Sequence, residues 1–270
     1  MIPETPVSTI RDLAIQAEEL GYQRCWVYDE GLATRDVYIT MAVILLATER
    51  LIVGPGITNA YTRHPGQSAA AIASLDEMSN ERAFLGIGAG GSLTLDPLGL
   101  ERLRPLETVE KTIAACRSLF AGEELSLDGP SFSFRSARLP YGRADIQIWL
   151  AGRGPRMLEL GGAKCDGVML DFIFKPSLGK YIDRIRVGAE RAGNSPKICY
   201  STMIVTNDKD LEVVRPHMTY RLVDSPASVR EKLGITDKDV DKIRSALSYG
   251  LQTAAEHVSD DWVLPFVISG

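Results

Sequence analysis

Residues 51–65 read LIVGPGITNAYTRHP and contain the pattern that decides the fold. The opening LIV is an apolar run without polar alternation, which is typical of a parallel strand covered on both faces. Glycine and proline at 54–56 cannot continue a regular ladder, and polar residues follow them. A buried strand that ends in a glycine bend and polar residues is how α/β proteins build a ligand site. The same residues also fit an ordinary strand and loop, because glycine and proline punctuate many loops.

The composition is that of an ordinary globular protein. Of the 270 residues, 45% are hydrophobic and 24% are charged, which suits one large α/β domain or two small ones. The net charge of -5 leaves no excess of Lys and Arg to neutralise phosphates, so we expect no nucleic-acid partner. No apolar run reaches the roughly 18 residues that a membrane span needs, and the start MIPETP lacks the features of a signal peptide. We therefore expect no membrane partner either.

The cysteines and histidines limit the possible chemistry. Cysteines stand at 25, 116, 165 and 199 without a CxxC pair, so we expect free thiols in a reducing cytoplasm. The three histidines are far apart in the chain, so we expect no His-based metal site.

Strand and helix patterns alternate six times along the chain. The predicted core strands are 24–28, 51–57, 83–88, 146–150, 166–170 and 198–205, with helices at 8–20, 39–48, 67–78, 105–120, 155–163 and 177–192. This alternation predicts a parallel sheet with right-handed crossovers in a single domain spanning 1–270. Residues 92–104 are predicted as a loop over the strand tips. Residues 123–140 alternate around an Asp-Gly pair, which predicts a hairpin excursion, and 207–270 is predicted to be mainly helical.

Two folds satisfy this repeat, a doubly wound open sheet and a (β/α)8 barrel. The glycines at 86–90 lack the full dinucleotide-binding spacing, so the first fold has weak support. Polar or glycine clusters follow several strands rather than one, at 29–30, 56–64, 88–91, 151–155 and 171–174. Barrel sites are assembled from many strand tips, so this distribution favours the TIM barrel.

Four segments carry a resemblance to a known family. They are GPGITNAYTRHP (54–65), LDEMSNERAFLGIGAG (75–90), LGLERLRPLETVEKTI (98–113) and WLAGRGPRMLELGGAKCDGVML (149–170). They resemble the luciferase-like (β/α)8 oxidoreductase family and follow its order. Within the family, the chain is most similar to the deazaflavin-dependent branch typified by methylenetetrahydromethanopterin reductase. The resemblance implies a barrel that binds coenzyme F420, or FMN as the alternative, and that forms a homodimer or a higher homo-oligomer.

The resemblance also implies where the cofactor binds. In the family, a non-prolyl cis peptide at the third strand tip backs the tricyclic ring, and here that bond would be Gly56–Ile57. The implied cofactor-binding residues are Asp29, Gly56, Ile57, Thr58, Asn59, Gly88, Ala89, Gly90, Ala151, Gly152, Arg153 and Gly154. Asp29 equally fits a helix cap, and Arg153 fits a solvated surface residue. Arg63 and His64 belong to the family motif but fit a role in tying the loop down.

The two ends depart from the family pattern. Relatives begin with a strand before the equivalent of Ile2 and continue past the equivalent of Ser269, so we expect a barrel that lacks its first and last strands. Two bare sheet edges would result. In the reductases the first strand carries the acidic residue assigned to proton transfer, so the catalytic residues stay unassigned.

The implied function is that of an oxidoreductase. It passes a hydride between reduced F420 and a small organic substrate, and a methylene-tetrahydropterin is the best-matched substrate. Two alternatives are an FMN-dependent luciferase-like monooxygenase and a non-catalytic flavin-binding relative.

Overall fold

A computed structural model describes residues 1–269 and divides them into two compact units. The first unit comprises Met1–Met169 and Arg184–Ile198, and the second comprises Leu170–Asp183 and the described chain from Cys199 onward. The α-helices are α1 (Val7–Glu19), α2 (Val37–Ala47), α3 (Pro65–Met78), α4 (Ser92–Leu95), α5 (Pro105–Phe120), α6 (Pro155–Lys164), α7 (Leu178–Ala192), α8 (Asp208–Val223), α9 (Ala227–Leu233), α10 (Asp237–Leu247), α11 (Leu251–Ala255) and α12 (Asp260–Val263). The β-strands are β1 (Arg24–Val27), β2 (Ile52–Pro55), β3 (Thr58–Asn59), β4 (Leu85–Gly88), β5 (Leu125–Asp128), β6 (Ser133–Ala137), β7 (Ile148–Ala151), β8 (Gly167–Asp171), β9 (Lys197–Ser201), β10 (Ile204–Val205) and β11 (Ile268–Ser269).

The parallel strands stand side by side in chain order, which confirms the predicted α/β class. β1 pairs with β2, with Trp26 opposite Gly54. A five-stranded sheet follows in the order β3, β4, β7, β8 and β9, and a parallel bridge between Val53 and Ala83 links β2 to the start of β4. The apolar runs that predicted these strands are buried, as in the fully buried residues of β4. That further strands belong at the outer edges stays a prediction.

Three aromatic side chains fill the interior beside β1, β4 and β7. The ring of Trp26 lies 4.5 Å from that of Phe84 and 5.2 Å from that of Trp149, centroid to centroid. Glycine stands opposite two of these rings. A Cβ at Gly54 would lie 2.4 Å from Phe84, and one at Gly167 would lie 2.4 Å from Trp149. Because protein interiors are close-packed, the rings fit only if positions 54 and 167 are glycine and carry no side chain.

Capping side chains move two helix starts earlier than the sequence pattern placed them. The carboxylate of Asp36 accepts hydrogen bonds from the backbone N–H groups of Tyr38 and Ile39, so α2 begins at Val37 instead of 39. The imidazole of His64 accepts from the N–H of Gly66, so α3 begins at residue 65 instead of 67. The prediction of a loop over 92–104 is wrong in part, because α4 and a 3₁₀ turn at Asp96–Leu98 occupy its first half.

The antiparallel pair of β5 and β6 lies in the segment where the sequence alternates around Asp-Gly. Leu127 stands opposite Phe134, with a register shift between Leu125 and Leu127. The ring of Phe134 lies 4.7 Å from that of His64, so the pair packs against the start of α3.

The second unit is mainly helical and has its own apolar core. Buried residues of α8, including Val214, Met218 and Leu222, pack with Ile243 of α10 and Val263 of α12. The sequence predicted a mainly helical pattern after residue 207, but the last described residues form β11, which pairs in parallel with β10. A strand replaces helix there because its backbone groups pair with β10.

Other predicted features concern the cysteines, membrane spans and metals. All four cysteines are free, as predicted, and Cys116 and Cys165 are buried. Among residues 1–269, no helix combines the length and apolarity needed to cross a membrane. The same residues contain no cluster of three or more His, Cys, Asp or Glu side chains that could hold a metal ion.

Candidate functional site

The strand that opens with Leu51 breaks at Gly56 and resumes as β3. The Gly56–Ile57 peptide bond is cis, as predicted. The N–H of Gly56 donates to the carbonyl oxygen of Val27 at 2.6 Å, which holds the break against β1. A Cβ at Gly56 would lie 2.9 Å from the Cβ of Trp26. Packing against Trp26 therefore requires glycine here, independently of any ring in the site.

Parallel pairing brings three of the predicted groups to the same edge of the sheet. Asn59 of β3 stands opposite Gly88 of β4, and Ile87 stands opposite Leu150 of β7. A Cβ at Gly88 would lie 3.1 Å from the carbonyl oxygen of Ala151. The ends of β3, β4 and β7 therefore lie side by side at one edge of the sheet, as expected for a ligand site at strand tips.

The glycines after these strands fall into two kinds. At Gly88 a Cβ would overlap the Cδ1 atom of Ile57 at 1.9 Å, and at Gly152 it would lie 2.6 Å from Met157. At Gly91 and Gly154 no atom lies within 4 Å of that position. The first kind makes room for neighbouring side chains, whereas the second leaves backbone open to the surroundings.

The open glycines suit the anionic arm of a cofactor. Gly154 caps the N-terminus of α6, which has 10 residues, and helix N-termini attract phosphate through their N–H groups. Gly90 has φ +68°, a left-handed conformation that favours glycine. Ala89 and Arg153 are half-buried beside these glycines. Backbone that can be approached closely, on two adjacent loops, fits a phosphate-bearing group.

Asp29 lies at the tip of β1 and is almost fully buried. Its Oδ2 atom accepts a hydrogen bond from the hydroxyl of Thr58 at 2.7 Å and lies 3.6 Å from Nε of Arg63. The Nη2 group of Arg63 donates to Asp36 at 2.6 Å. The helix-cap interpretation of Asp29 is wrong for α2, because Asp36 caps that helix. Asp29 and Thr58 therefore join the tips of β1 and β3.

The pKa values of the two carboxylates next to Arg63 are shifted in opposite directions. Burial raises the pKa of Asp29 above its ordinary value, although the Thr58 hydroxyl and Arg63 oppose this shift. Burial alone would also raise the pKa of Asp36, but hydrogen bonds from the Ile39 N–H and from Arg63 outweigh it and lower that pKa. Asp29 therefore keeps a proton to a higher pH than Asp36 does.

His64 ties the loop down rather than facing the strand tips. Its Nδ1 atom accepts from the N–H of Gly66, and its Nε2 atom lies 3.1 Å from the carbonyl oxygen of Ser133. With Nδ1 as the acceptor, Nε2 is the ring nitrogen that donates to Ser133. Both ring nitrogens are thus engaged, which agrees with the loop-tying interpretation.

The sequence analysis predicted a loop over 92–104 but assigned no contact to residues 102–103 within it. The hydroxyl of Tyr61 donates to the carbonyl oxygen of Leu103 at 2.8 Å. The Nη1 group of Arg102 donates to the carbonyl oxygen of Gly90 at 3.0 Å. These bonds hold residues 102–103 beside the tips of β3 and β4. The sequence offered two signals, the prediction of a loop over the strand tips and the position of these residues within one of the four resembling segments.

Comparison with known proteins identifies the family. The family model described as luciferase-like monooxygenase matches residues 2–270. The chain belongs to this family. It is 33% identical over 255 residues to a 5,10-methylenetetrahydromethanopterin reductase of Methanolobus tindarius, covering 92% of this chain and 78% of the relative. It is 30% identical over 265 residues to a reductase of the same name from Archaeoglobus fulgidus, covering 94% and 80%.

Solved structures agree with this assignment. The structure of the coenzyme F420-dependent tetrahydromethanopterin reductase from Methanopyrus kandleri matches 100% of this chain and 84% of its own, with a TM-score of 0.87 and 25% identity. An F420-dependent secondary alcohol dehydrogenase matches 99% and 84% with a TM-score of 0.79 and 18% identity, which shows a shared fold. The chain is therefore a luciferase-like α/β protein that matches TIM-barrel structures over its full length.

In this luciferase-like protein, every residue predicted for the site lies in the first unit. They form β3, occupy the break before it, or lie at or just after the ends of β1, β4 and β7. Solved structures with this fold include a complex with an F420-acetone adduct and a complex with FMN.

Proposed function

We propose that this luciferase-like oxidoreductase passes a hydride between reduced F420 and a small organic substrate. A methylene-tetrahydropterin is the best-matched substrate. The observation that carries the proposal is that open glycine loops and the hydrogen-bonded pair of Asp29 and Thr58 lie at the same end of the parallel strands. The chain is also 33% identical, over 92% of its length, to a methylenetetrahydromethanopterin reductase.

The residues of the strand tips have distinct roles in this proposal. Residues 56–59 back the tricyclic ring of the cofactor, and the loops at 88–91 and 151–154 receive its ribityl-phosphate arm. Asp29 lines the cofactor or substrate pocket, with a pKa that burial has raised. When bound, the cofactor supplies the hydride chemistry, while the protein binds and orients it.

An FMN-dependent monooxygenase is the second candidate function. The description of the matching family model favours it, since that description reads luciferase-like monooxygenase. A flavin and a deazaflavin share the tricyclic ring and the ribityl phosphate, so the same loops suit both. A non-catalytic flavin-binding protein is the third candidate.

A pair of fluorescence-quenching titrations tests the cofactor. We expect oxidised F420 to bind more tightly than FMN, and reduced F420 to be consumed when a methylene-tetrahydropterin is added. Tighter binding of FMN, with oxygen consumed on reduction, would assign the protein to the monooxygenase branch. Binding of either chromophore without turnover of any substrate would favour the non-catalytic alternative.

We also propose that the protein forms a homodimer or a higher homo-oligomer in the cytoplasm, where free thiols persist. The support for association is α2, which carries no charged residue and exposes 62% of Ile39 and 71% of Leu46 on its outer side. A helix that is apolar all round normally has its whole surface buried.

Light scattering tests this proposal. We expect the double variant Ile39→Lys and Leu46→Lys to lower the molar mass to that of the monomer. Val213→Lys, at a position of similar exposure on α8, is the matched control and should leave the mass unchanged. A wild-type protein that is monomeric at high concentration would refute the proposal.

A further inference from the structure

Arg102 occupies an unusual electrostatic position beside the β4 loop. Its guanidinium donates one hydrogen bond to the carbonyl oxygen of Gly90. Within residues 1–269, no carboxylate lies within ion-pair distance of it, whereas Arg104 pairs with Glu107 at 2.8 Å and Arg63 pairs with two aspartates. Arg102 is also exposed. A cation with further N–H donors therefore stands at the glycine loop without a carboxylate to neutralise it.

The backbone next to Arg102 is anchored from two sides. The carbonyl oxygen of Leu103 accepts from the hydroxyl of Tyr61 at 2.8 Å and from that of Thr108 at 2.9 Å. The positive charge of Arg102 also acts on the Tyr61 hydroxyl, where it opposes the rise in pKa that burial causes. Anchoring of this kind holds the guanidinium near the loop before any ligand arrives, which lowers the entropic cost of binding.

The loop that Arg102 contacts has space for a ligand. At Gly91, the residue after Gly90, a Cβ would meet nothing within 4 Å. A guanidinium beside accessible glycine backbone is a suitable arrangement for a phosphate ester, because arginine donates two parallel hydrogen bonds to phosphate oxygens.

We propose that Arg102 binds the phosphate of the cofactor's ribityl arm at the 88–91 loop. The inference rests on the proposed function only in requiring a phosphate-bearing tricyclic cofactor, and it holds for F420 and FMN alike. The cofactor-binding loops predicted from the sequence are thereby extended by one cationic residue, Arg102, which lies between β4 and α5.

Two ligand pairs test this role. The protein is titrated by fluorescence with FMN and riboflavin, which differ only in the phosphate, and with F420 and the deazaflavin chromophore that lacks the phosphate and the groups attached through it. Because a charge-assisted hydrogen bond is stronger than one between neutral groups, we expect Arg102→Ala to weaken binding of the phosphorylated member about 10- to 100-fold. Binding of the dephosphorylated member should stay unchanged, and Arg102→Lys should show a smaller loss.

Arg104→Ala is the matched control, since this residue is exposed two positions away and already paired with Glu107. It should leave all four affinities unchanged. Equal losses for the phosphorylated and dephosphorylated ligands would mean that Arg102 only supports the loop, and no loss would also overturn the proposal. Failure of the wild-type protein to bind either phosphorylated ligand would overturn the proposed function together with this inference. Binding by the wild type with an unaffected Arg102→Ala variant would overturn the inference alone.

Discussion

The two ends of the parallel strands in the first unit differ in the polar groups they carry and in how those groups are bonded. Before the strands, carboxylates accept hydrogen bonds from the backbone N–H groups of the chain as it enters the sheet. Glu18 accepts from the N–H groups of Glu49, Arg50 and Leu51. Asp76 accepts from the N–H of Ala83, and Asp166 accepts from the N–H of Ile148. At the other end of the strands lie Asp29, Thr58 and Asn59 together with several glycines.

This difference separates stability from binding. At the entry end, two of the carboxylates are also paired with arginine, Asp76 with Arg143 and Asp166 with Arg117. At the exit end, Gly91 and Gly154 leave their backbone accessible, and the buried Asp29 has a raised pKa. Polar groups with satisfied partners stabilise the sheet, whereas open backbone and a perturbed carboxyl mark a binding edge.

The largest effect should come from removing a carboxylate at the entry end. Asp76 is only 3% exposed and accepts two hydrogen bonds from Arg143, at 2.8 and 3.0 Å. Asp76→Ala leaves the Ala83 N–H and the guanidinium without this acceptor. We expect the free energy of unfolding to fall by about 3 kcal/mol in a urea titration.

Asp12→Ala provides the control for that measurement. Asp12 pairs with Arg11 on the surface of α1, and its loss should change stability by no more than about 0.5 kcal/mol. A loss below about 1 kcal/mol for Asp76→Ala would contradict the assignment of stability to the entry end.

A smaller effect should come from filling the space over Gly88. Gly88→Ala places a methyl group against the Cδ1 atom of Ile57, so we expect a loss of about 1–3 kcal/mol. Adding Ile57→Val removes that atom and should restore at least half of the loss. Denaturant titrations of the single and double variants form the cycle, and additive losses would show that the two residues do not compete for this space.

Gly91→Ala distinguishes the two kinds of glycine at the exit end. The position has open space and φ -114°, so the free energy of unfolding should change by less than about 0.5 kcal/mol. A large loss of stability there would remove the distinction between packing and open glycines.

The smallest effects should come from replacing one carboxylate at each end. The two replacements should change the pH dependence of stability in opposite directions. Burial raises the pKa of Asp29, so ionising it costs stability as the pH rises through the range between its unfolded and folded pKa values. Asp29→Asn should therefore stabilise the protein at pH 7, with a gain that disappears at low pH.

Glu18 should behave in the opposite way. Burial alone would raise its pKa, but hydrogen bonds from the N–H groups of Glu49, Arg50 and Leu51 outweigh burial and lower it. Its contribution to stability is present above the unfolded pKa and is lost as the pH falls through the folded pKa. Glu18→Gln should destabilise the protein at pH 7, and thermal melts of both variants at several pH values should give changes of opposite sign. Changes of the same sign at pH 7 would contradict the comparison.

All six predicted strands have counterparts in the structure because their signal is local, although the predicted strands 51–57 and 198–205 are each divided into two, β2 with β3 and β9 with β10. The apolar runs that contain β4 and β8 have no polar alternation, and such runs are stable only when covered on both faces. Helix starts were less accurate, although Asp36 and His64 are capping side chains whose bonds reach only two or three residues along the chain. The contact of Arg102 with Gly90 could not be predicted, because nothing in the spacing of the two residues specifies it.

The sequence by itself determined the alternation of strands and helices and the position of glycine and polar residues after the strands. Both follow from periodicity and from the backbone freedom of glycine, which are properties of neighbouring residues. Only the tertiary structure decided which glycines serve packing and which leave backbone open. Gly88 and Gly91 look alike in the sequence, yet Ile57 covers one and nothing covers the other. That distinction depends on side chains brought in by adjacent strands, and parallel pairing joins segments about 30 residues apart in the chain.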